Sequence, residues 1–336
     1  MKRGYDLKRT TMRDVANRLG VSVSTVSRAL NNPTVISVGT RERILKAVEE
    51  SGYIRNNLAR GLALKTSHLI GMMVSDISNP FFSEIARGVH DVARGKSYVI
   101  ALCNTDRRVE NEEVFSRTLL ENQVAGLIFV GGTMGERHLK SLRDNNVPFV
   151  IAGRRTKALS APTVAVDNVA VGYQATHYLI GLGHKRIMFL SGPSDSATSR
   201  DRKRGYLDAM QANGLSPLVA EGDFKMETGF SLASRLVGEK KRPSAVFAAN
   251  DMMAIGLIMG LTNLRLKIPG NVAVVGCDDI PMARLIKPTL TTIKIPMYEI
   301  GTRAMSMLIT LLENEQELTS QTILLGCELT IRESAG

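Results

Sequence analysis

The chain has 336 residues, of which 44% are hydrophobic and 22% charged, so it has the composition of a soluble globular protein. This length allows a small domain and about two domains of ordinary size. No apolar run approaches the roughly 20 residues that span a bilayer, and the start MKRGYDLKRTT lacks the apolar stretch of a signal peptide, so we expect a cytoplasmic protein with no membrane partner.

The net charge of +11 is concentrated at the start of the chain, where residues 1–66 hold 13 Lys or Arg against 5 Asp or Glu. The remainder is nearly neutral. A concentrated positive field predicts a polyanionic partner. A membrane surface is the alternative, but the positions predicted below to face outward lack a large apolar face.

The first predicted helix follows Thr11, which forms a capping box with Asp14 three residues later. Val15, Ala16 and Leu19 then recur at helical spacing. Gly20 ends the helix, because a helix C-terminus commonly needs a left-handed residue.

A second helix begins directly after this turn, with Ser22 as its cap. It would present Val23, Ser24, Ser27 and Arg28 outward. Two capped helices joined at one Gly-Val-Ser turn are typical of a helix-turn-helix, in which short polar side chains let the second helix enter the DNA major groove. A three-helix bundle without nucleic acid is the alternative.

Residues 34–66 predict two further helices. Ser37 caps the first, whose Ile44, Leu45 and Val48 share one face before Gly52 ends it. The second would run from Asn57 to about Ala63 with Asn56 as its cap. Helices this short are marginal alone, so this segment should become ordered only against a partner, and a plain linker is the alternative.

From His68 onward, short apolar runs alternate with amphipathic segments of helix length. Continuous apolar strands separated by helices predict parallel sheets covered on both faces, and about nine or ten strands predict two such domains, the first ending near Asp167. The expected fold class is therefore a small all-α headpiece followed by an α/β core of two parallel-sheet subdomains.

Polar residues follow these strands where ligands bind in open parallel sheets. Asp and Asn side chains without a metal signature suit sugar hydroxyls, although each one alone is also a good helix cap. The residues expected to converge on a cleft are Asp76, Asn79, Asn104, Asp106, Arg154, Asn250, Asp251, Asp278 and Asp279.

Other chemistry has little support in the sequence. Cys103, Cys277 and Cys327 lie far apart in apolar runs, so we expect buried thiols and no metal. The chain has no GxxxxGK[ST] loop, no GxGxxG after the first strand, no HExxH and no GxSxG nucleophile elbow. We therefore expect no enzyme and no cofactor; a sugar-processing enzyme with an incidental basic start is the alternative.

The chain resembles the LacI/GalR family of bacterial transcription regulators over nearly its whole length. The stretches that carry the resemblance are TMRDVANRLGVSVSTVSRALN, TRERILKAVEESGYIRNN, LARGLA, SNPFFSEIARGV, GHKRIMFLSGP, SRDRKRGY, SAVFAANDMMAIG, VVGCDD and LTTIKIPMYEIG. The resemblance implies a headpiece with a hinge helix over 8–66. It also implies a core over 67–336 that is similar to periplasmic sugar-binding proteins. Subdomain 1 would comprise 67–166 and 295–326, and subdomain 2 would comprise 167–294 and 327–336.

The resemblance also implies a double-stranded, palindromic DNA operator as partner. Family positions for base reading fall on Val23, Ser24 and Arg28, and Leu62 of the hinge would wedge into the minor groove. Arg55 departs from the family, which usually has Pro there. The full predicted DNA-binding set is Thr11, Ser22, Val23, Ser24, Thr25, Ser27, Arg28, Asn31, Asn56, Ala59 and Leu62.

For a small effector, a sugar or sugar acid, the resemblance implies one cleft between the subdomains. Gly153 replaces an Asp common in sugar-binding members, and Arg154 and Arg155 follow it, which favours an anionic ligand unless these arginines face solvent. Ser196 argues against a purine. The predicted effector-binding set is Asp76, Phe81, Phe82, Arg154, Thr198, Arg202, Phe224, Asn250 and Asp278.

Two expectations concern protein partners. No leucine heptad tail follows the last predicted strand, so we expect a homodimer. Apolar positions of Phe82–Val89 and Ala304–Leu312 can supply its interface, although most of them must serve the core. The segment PMYEIG resembles regulators of the catabolite-control type, which need a protein corepressor. Ser306 stands where such regulators have an important Arg, so this remains the alternative.

Overall fold

The computed structural model describes residues 10–31, 35–53, 67–132, 136–155, 161–239, 241–313 and 321–336. The chain divides into two compact units, Met1–Thr66 and Ser67–Gly336. The first is called the headpiece and the second the core below.

Three helices form the described part of the headpiece: α1 (Met12–Leu19), α2 (Val23–Asn31) and α3 (Val38–Ser51). The predicted capping box is confirmed, because Thr11 Oγ1 accepts from the Asp14 amide while Asp14 accepts from the Thr11 amide. Gly20 ends α1 in the left-handed region at φ 66°. The apolar side chains that meet at the centre are Val15, Ala16, Val26, Ala29, Leu30, Ile44 and Ala47.

Two details of α3 differ from the prediction. Ser37 stands at the N-cap, but its hydroxyl donates to Thr40 Oγ1 at 2.9 Å and makes no cap hydrogen bond to the backbone. Leu45 is 37% exposed, and Ala47 is buried beside Ile44 instead. Successive residues rotate by about 100° around a helix, so Leu45 lies off the face that Ile44 and Ala47 share. The predicted helix from Asn57 to Ala63 lies outside the described residues.

The core begins with a six-stranded sheet in the order β11-β5-β4-β3-β1-β2, whose strand pairs are all parallel. Helices α4 and α11 pack against one face and α5 and α6 against the other. This body is called lobe 1. Its elements are β1 (Leu69–Val74), α4 (Pro80–Gly95), β2 (Val99–Asn104), α5 (Val109–Glu121), β3 (Gly126–Val130), α6 (Glu136–Asp144), β4 (Phe149–Ala152), β5 (Thr163–Val166), α11 (Met297–Glu313) and β11 (Thr322–Leu325).

A second six-stranded sheet has the order β12-β10-β9-β8-β6-β7, and only its β10–β12 pair is antiparallel. The helix pairs α7–α8 and α9–α10 pack with it, and this body is called lobe 2. Its elements are α7 (Asn168–Gly181), β6 (Ile187–Ser191), α8 (Ala197–Ala212), β7 (Leu218–Glu221), α9 (Met226–Gly238), β8 (Ala245–Ala248), α10 (Asp251–Asn263), β9 (Ala273–Asp278), a 3₁₀ turn (Pro281–Arg284), β10 (Thr291–Lys294) and β12 (Glu328–Thr330).

The predicted fold class is confirmed, although the described residues contain twelve strands where about nine or ten were expected. The strands without a strong apolar run are β7, β10, β11 and β12. Each is only three or four residues long, so none carries an apolar run as long as those of the central strands.

The chain passes between the lobes three times, from β5 to α7, from β10 to α11 and from β11 to β12. Each passage takes only one or two residues, at Asp167, at Ile295 and Pro296, and at Gly326 and Cys327. Short passages keep the carboxyl ends of both sheets close to each other.

Paired glycines let the helix pairs of the core approach closely. A Cβ atom added to Gly301 of α11 would lie 2.1 Å from the Ile85 carbonyl oxygen, and one added to Gly88 of α4 would lie 2.2 Å from that of Tyr298. Gly172 with Gly205 and Gly229 with Gly256 make the same reciprocal contact in lobe 2, at 1.9 or 2.0 Å. Any side chain at these positions would push the helix axes apart.

Candidate functional site

The start of α2 presents a cluster of hydroxyl groups on the headpiece surface. Ser22 Oγ accepts from the Thr25 amide at 3.1 Å, which confirms it as the cap, and lies 2.7 Å from the hydroxyls of Ser24 and Thr25. Val23 is 42% exposed, and Ser24 and Arg28 are also exposed. The outward face of α2 is therefore short-chained and polar at its N-terminus, with one arginine a turn further on.

The remaining predicted DNA-binding residues have different surroundings. Ser27 and Thr25 are half-buried, and Asn31 is the last residue of α2. Thr11 is exposed, but its hydroxyl donates to Asp14 at 2.7 Å, so it holds the start of α1. The hinge residues Asn56, Ala59 and Leu62 lie outside the described residues, as does Arg55.

A cavity of about 660 Å³ lies within the core, between the carboxyl ends of the two sheets. All nine side chains of the predicted effector-binding set line it. Both lobes contribute to its walls. Lobe 1 supplies Asp76, Phe81, Phe82 and Arg154, and lobe 2 supplies Thr198, Arg202, Phe224, Asn250 and Asp278.

The aromatic part of the lobe 1 wall comes from the start of α4. Phe81 and Phe82 pack edge to face, with ring centroids 5.1 Å apart. Asn79 caps the helix by accepting from the Phe81 amide, and Asp76 accepts from the Ser78 amide at 3.0 Å. These caps fix the two rings relative to the sheet.

Arg154 belongs to the cavity wall and does not face solvent. Its residue surface is 8% exposed, and its Nε donates to the Gly131 carbonyl at 2.8 Å. Burial lowers the pKa of its guanidinium, and the carboxylate of Glu112 opposes that shift. The expectation that these arginines could face solvent is thus wrong for Arg154, whereas Arg155 is exposed.

Glu112 of α5 is a buried acid near the cavity that was not predicted. It is 2% exposed, and a Cβ added to Gly132 would lie 2.6 Å from its Oε1. Glu112 therefore supplies an acid beside Gly132 whose charge acts on Arg154. It stands among the exposed acids Glu110 and Glu113, so no sequence pattern distinguishes it.

Arg202 is the central cation of lobe 2, and its residue surface is only 3% exposed. Its Nε donates to Asn168 Oδ1 at 2.9 Å, and its Nη1 donates to the Ala249 carbonyl and lies 3.6 Å from Asp278 Oδ1. Burial raises the pKa of the Asp278 carboxyl, and the charge of Arg202 opposes this shift. The pair is thus oriented by the protein itself.

Asn250 is both a cap and a cavity residue. Its Oδ1 accepts from the Met253 amide and its Nδ2 donates to the Phe224 carbonyl, both at 3.0 Å. Phe224 itself lies in the left-handed region at φ 70°, with its ring edge against Gly192. The amide of Asn250 thereby holds the backbone that presents the aromatic ring.

Three residues expected in the cleft lie outside its lining and hold loops instead. Asn104 accepts from the Ile77 amide and donates to Asp106. Asp251 accepts from the Ile280 amide and the Thr292 hydroxyl, and burial raises its pKa to about 6. Asp279 pairs with Arg284 and Arg332. The prediction that these three residues converge on the cleft is wrong, because their side-chain oxygens bind neighbouring backbone amides, a hydroxyl and arginines instead.

Several cavity residues were not predicted. The most prominent is Arg107, whose guanidinium carbon lies 5.4 Å from the centre of the Phe224 ring. Others that line the cavity are Ser75, Ser78, Asp223, Lys225, Met226, Glu227 and Met252. Over the described ranges, the acids, histidines and cysteines form no cluster that could hold a metal, and no helix is long and apolar enough to cross a membrane.

Comparison with known proteins links both sites to one class of protein. A family model described as bacterial regulatory proteins, lacI family, matches residues 11–56, and one described as a periplasmic binding protein-like domain matches 176–335. Catabolite control protein A of Priestia megaterium is 34% identical over 328 residues, which are 96% of this chain and 98% of that protein.

Solved structures share the whole fold. The lac repressor dimer bound to operator and the anti-inducer ONPF has a TM-score of 0.88 and 28% identity, with coverage of 97% of this chain and 99% of that chain. A complex of the transcriptional regulator CelR with cellobiose has a TM-score of 0.74 and 28% identity, with coverage of 97% and 100%.

Proposed function

The chain belongs to the LacI family of bacterial regulatory proteins, and on that premise we propose that it is a transcriptional repressor whose operator affinity is set by a sugar or sugar acid. The headpiece reads DNA through α2, and the effector binds in the core cavity. The observation that carries this proposal is the presence of both sites in one chain, each built from the residue types its ligand requires.

The chemistry of the headpiece supports DNA reading. Exposed hydroxyls at the start of α2 donate to and accept from base edges, and Arg28 can pair with the two acceptors of a guanine. We also propose that the hinge residues Asn56, Ala59 and Leu62 contact the minor groove.

Fluorescence anisotropy with a palindromic operator tests DNA reading directly. Affinity should fall steeply as the salt concentration rises, because Lys and Arg side chains that bind phosphates release counterions. For the related lac repressor, the logarithm of the binding constant falls against the logarithm of the salt concentration with a slope of about −10. Equal affinity for the operator and for random DNA would contradict sequence-specific binding.

The chemistry of the cavity supports a polyhydroxyl ligand. Aromatic faces of Phe82 and Phe224 suit the apolar face of a sugar ring, while Arg202, Asp278 and Asn250 offer donors and acceptors for its hydroxyls. We assign the lobes as subdomains, with 67–166 and 295–326 in one and 167–294 and 327–336 in the other. A sugar that prefers one arrangement of these subdomains shifts the population toward it.

A thermal-shift screen of sugars, sugar acids, sugar phosphates and nucleobases tests the effector. A ligand that binds only the folded core stabilises it and raises its melting temperature. At a concentration of 100 times its Kd, the ligand adds about 2.7 kcal/mol to the free energy of unfolding. A sugar hit that also changes operator affinity supports the proposal. A hit that is consumed on incubation would instead reveal an enzyme.

The similarity to catabolite control protein A favours one alternative, a regulator that needs a protein corepressor. Against it, the exposed position on α11 where such regulators have an important Arg is Ser306 in this chain. A pull-down with a phosphocarrier protein separates the two functions. Operator binding that requires the phosphocarrier would establish the alternative.

A further inference from the structure

Arg107 connects the two lobes across the cavity. It lies in the loop between β2 and α5 of lobe 1, and its Nη2 is 3.2 Å from Asp195 Oδ1 of lobe 2. Its guanidinium also lies over the ring of Phe224, which belongs to lobe 2 as well. Its side chain is 21% exposed, whereas that of Asp195 is 61% exposed.

The backbone of this loop is built to aim the side chain. Asp106 and Arg107 both have positive φ, 52° and 58°, which residues other than glycine rarely adopt. Asn104 Nδ2 donates to Asp106 at 2.7 Å, and the Thr105 amide donates to the Val74 carbonyl at 2.9 Å. These bonds hold an unfavourable conformation, so the direction of Arg107 is fixed by the fold.

Each lobe 2 contact of Arg107 leads to a part of the cavity wall. Asp195 directly precedes Ser196, the N-cap of α8, and this helix carries Thr198 and Arg202. Phe224 supplies the aromatic ring, and its carbonyl accepts from Asn250. One side chain of lobe 1 therefore contacts two of the segments that build the lobe 2 wall.

We propose that Arg107 is a positioning residue of the cavity, which reaches from lobe 1 to fix the Phe224 ring and the start of α8 for ligand binding. The ion pair with Asp195 sets the distance between the lobes at this edge, and the guanidinium restrains the ring through a cation–π contact. The inference rests on the proposed function in one respect, namely that this cavity is the effector site.

The chain contains no tryptophan, so Phe224→Trp creates a single tryptophan, beside Arg107, as a fluorescent reporter. Acrylamide quenching of this reporter measures how well the ring is covered. Arg107→Ala should raise the quenching constant about twofold, and Arg107→Lys should give a smaller rise because an ammonium keeps the charge without the flat face. Arg108→Ala is the matched control, since Arg108 is an exposed neighbour of the same charge, and it should change nothing.

A change of salt concentration and a substitution of Asp195 distinguish the ion pair of Arg107 from its cation–π contact. With Asp195 present, 1 M NaCl should raise the quenching constant. The Debye length at that ionic strength is about 3 Å, so salt weakens the Arg107–Asp195 ion pair and uncovers the ring. Asp195→Asn should remove this salt response while it leaves part of the ring coverage.

Hydrogen exchange tests the same idea with Phe224 unaltered. Arg107→Ala should speed exchange several-fold in peptides covering 192–199 and 222–226 and leave the rest of lobe 2 unchanged, which a general loss of stability would not do. Equal quenching and equal exchange in the Arg107→Ala and Arg108→Ala proteins would overturn the proposal. Neither measurement uses DNA or a sugar, so a failure of the proposed function would be seen separately.

Discussion

At the scale of single residues, most polar side chains of the cavity wall are oriented by the protein's own backbone. Asn250 bonds the backbone of Met253 and Phe224. Arg202 donates to the Ala249 carbonyl and to the Asn168 side chain, and Arg154 donates to the Gly131 carbonyl. Groups fixed in this way lose little entropy when a ligand binds, which raises affinity. Substituting them therefore changes both the wall and the fold beneath it.

Arg28→Ala should weaken binding to a specific operator more than binding to random DNA. The expected specific loss is about 1 to 3 kcal/mol, the range for one bidentate contact to guanine. Arg43→Ala on α3 is the control for charge, because Arg43 is also an exposed headpiece arginine. Anisotropy titrations at fixed salt measure both; an equal loss on random DNA would assign Arg28 to phosphates.

Arg202→Ala should abolish the response to the effector and also destabilise the core. Removing the guanidinium leaves the buried Asp278 carboxyl without its partner, and breaking a buried pair in this way costs about 3 to 5 kcal/mol. Urea denaturation of the core and operator titration with and without the screen's best ligand measure the two effects. Operator binding without effector should persist wherever the variant is folded, and its loss in folded protein would contradict the assignment.

Arg154→Ala should weaken an acidic effector about tenfold or more and leave its neutral parent sugar nearly unchanged, because charge-assisted pairing is lost only for the acid. Glu112→Gln provides the opposite change. It removes the acid that opposes an anion near Arg154, so it should strengthen the same acidic ligand. Calorimetry with each acid and its neutral parent checks both; equal effects of Arg154→Ala on the two ligands would exclude the anionic effector.

At the scale of elements, the glycine contacts between helices determine how closely each pair packs. Gly301→Ala places a Cβ 2.1 Å from the Ile85 carbonyl, so α11 must move away from α4. We expect a loss of about 1 to 3 kcal/mol in the free energy of unfolding, the usual cost of overpacking. Gly95→Ala at the end of α4 is the matched control, since its new Cβ would meet no atom within 4 Å beyond its chain neighbours and the backbone of its own helix. Urea melts compare the two, and equal stabilities would show that the crossing tolerates a methyl group.

The elements also show what the sequence could and could not predict. The capped helices of the headpiece follow from short-range patterns such as Thr11 with Asp14, and the long apolar strands follow from their composition. Nine effector-site residues reach one cavity because parallel strands end at a common edge. Glu112 and Arg107 escaped prediction because their roles depend on side chains far away in the chain, which no local pattern encodes.

At the scale of the whole molecule, most apolar residues of Phe82–Val89 and Ala304–Leu312 serve the interior of lobe 1, as the sequence predicted. Ile85, Val89, Ala304 and Leu308 are fully buried in the core. Exposed apolar side chains lie elsewhere, including Val99 at 63% and Leu102 at 40% on β2, which is the edge strand of its sheet. An apolar edge strand needs a cover, and a second copy of the chain is the cover we propose.

Sedimentation at micromolar concentration should therefore show a dimer. Val99→Lys should shift the protein toward monomer, because the new charge would be buried unpaired in the interface. Tyr173→Lys, at an exposed aromatic position of lobe 2, controls for the loss of an exposed apolar side chain. A stable monomer or tetramer in the unmodified protein would contradict the dimer.

The three passages of the chain between the lobes also have a consequence for biosynthesis. Lobe 1 lacks α11 and its edge strand β11 until residue 325 has been synthesised, and lobe 2 lacks β12 until residue 330. Both lobes therefore stay incomplete until residues 325–330 have been synthesised, whereas the headpiece is a separate compact unit translated first. A nascent or prematurely terminated chain would thus carry a DNA-reading headpiece on an unfinished core, unable to sense the effector.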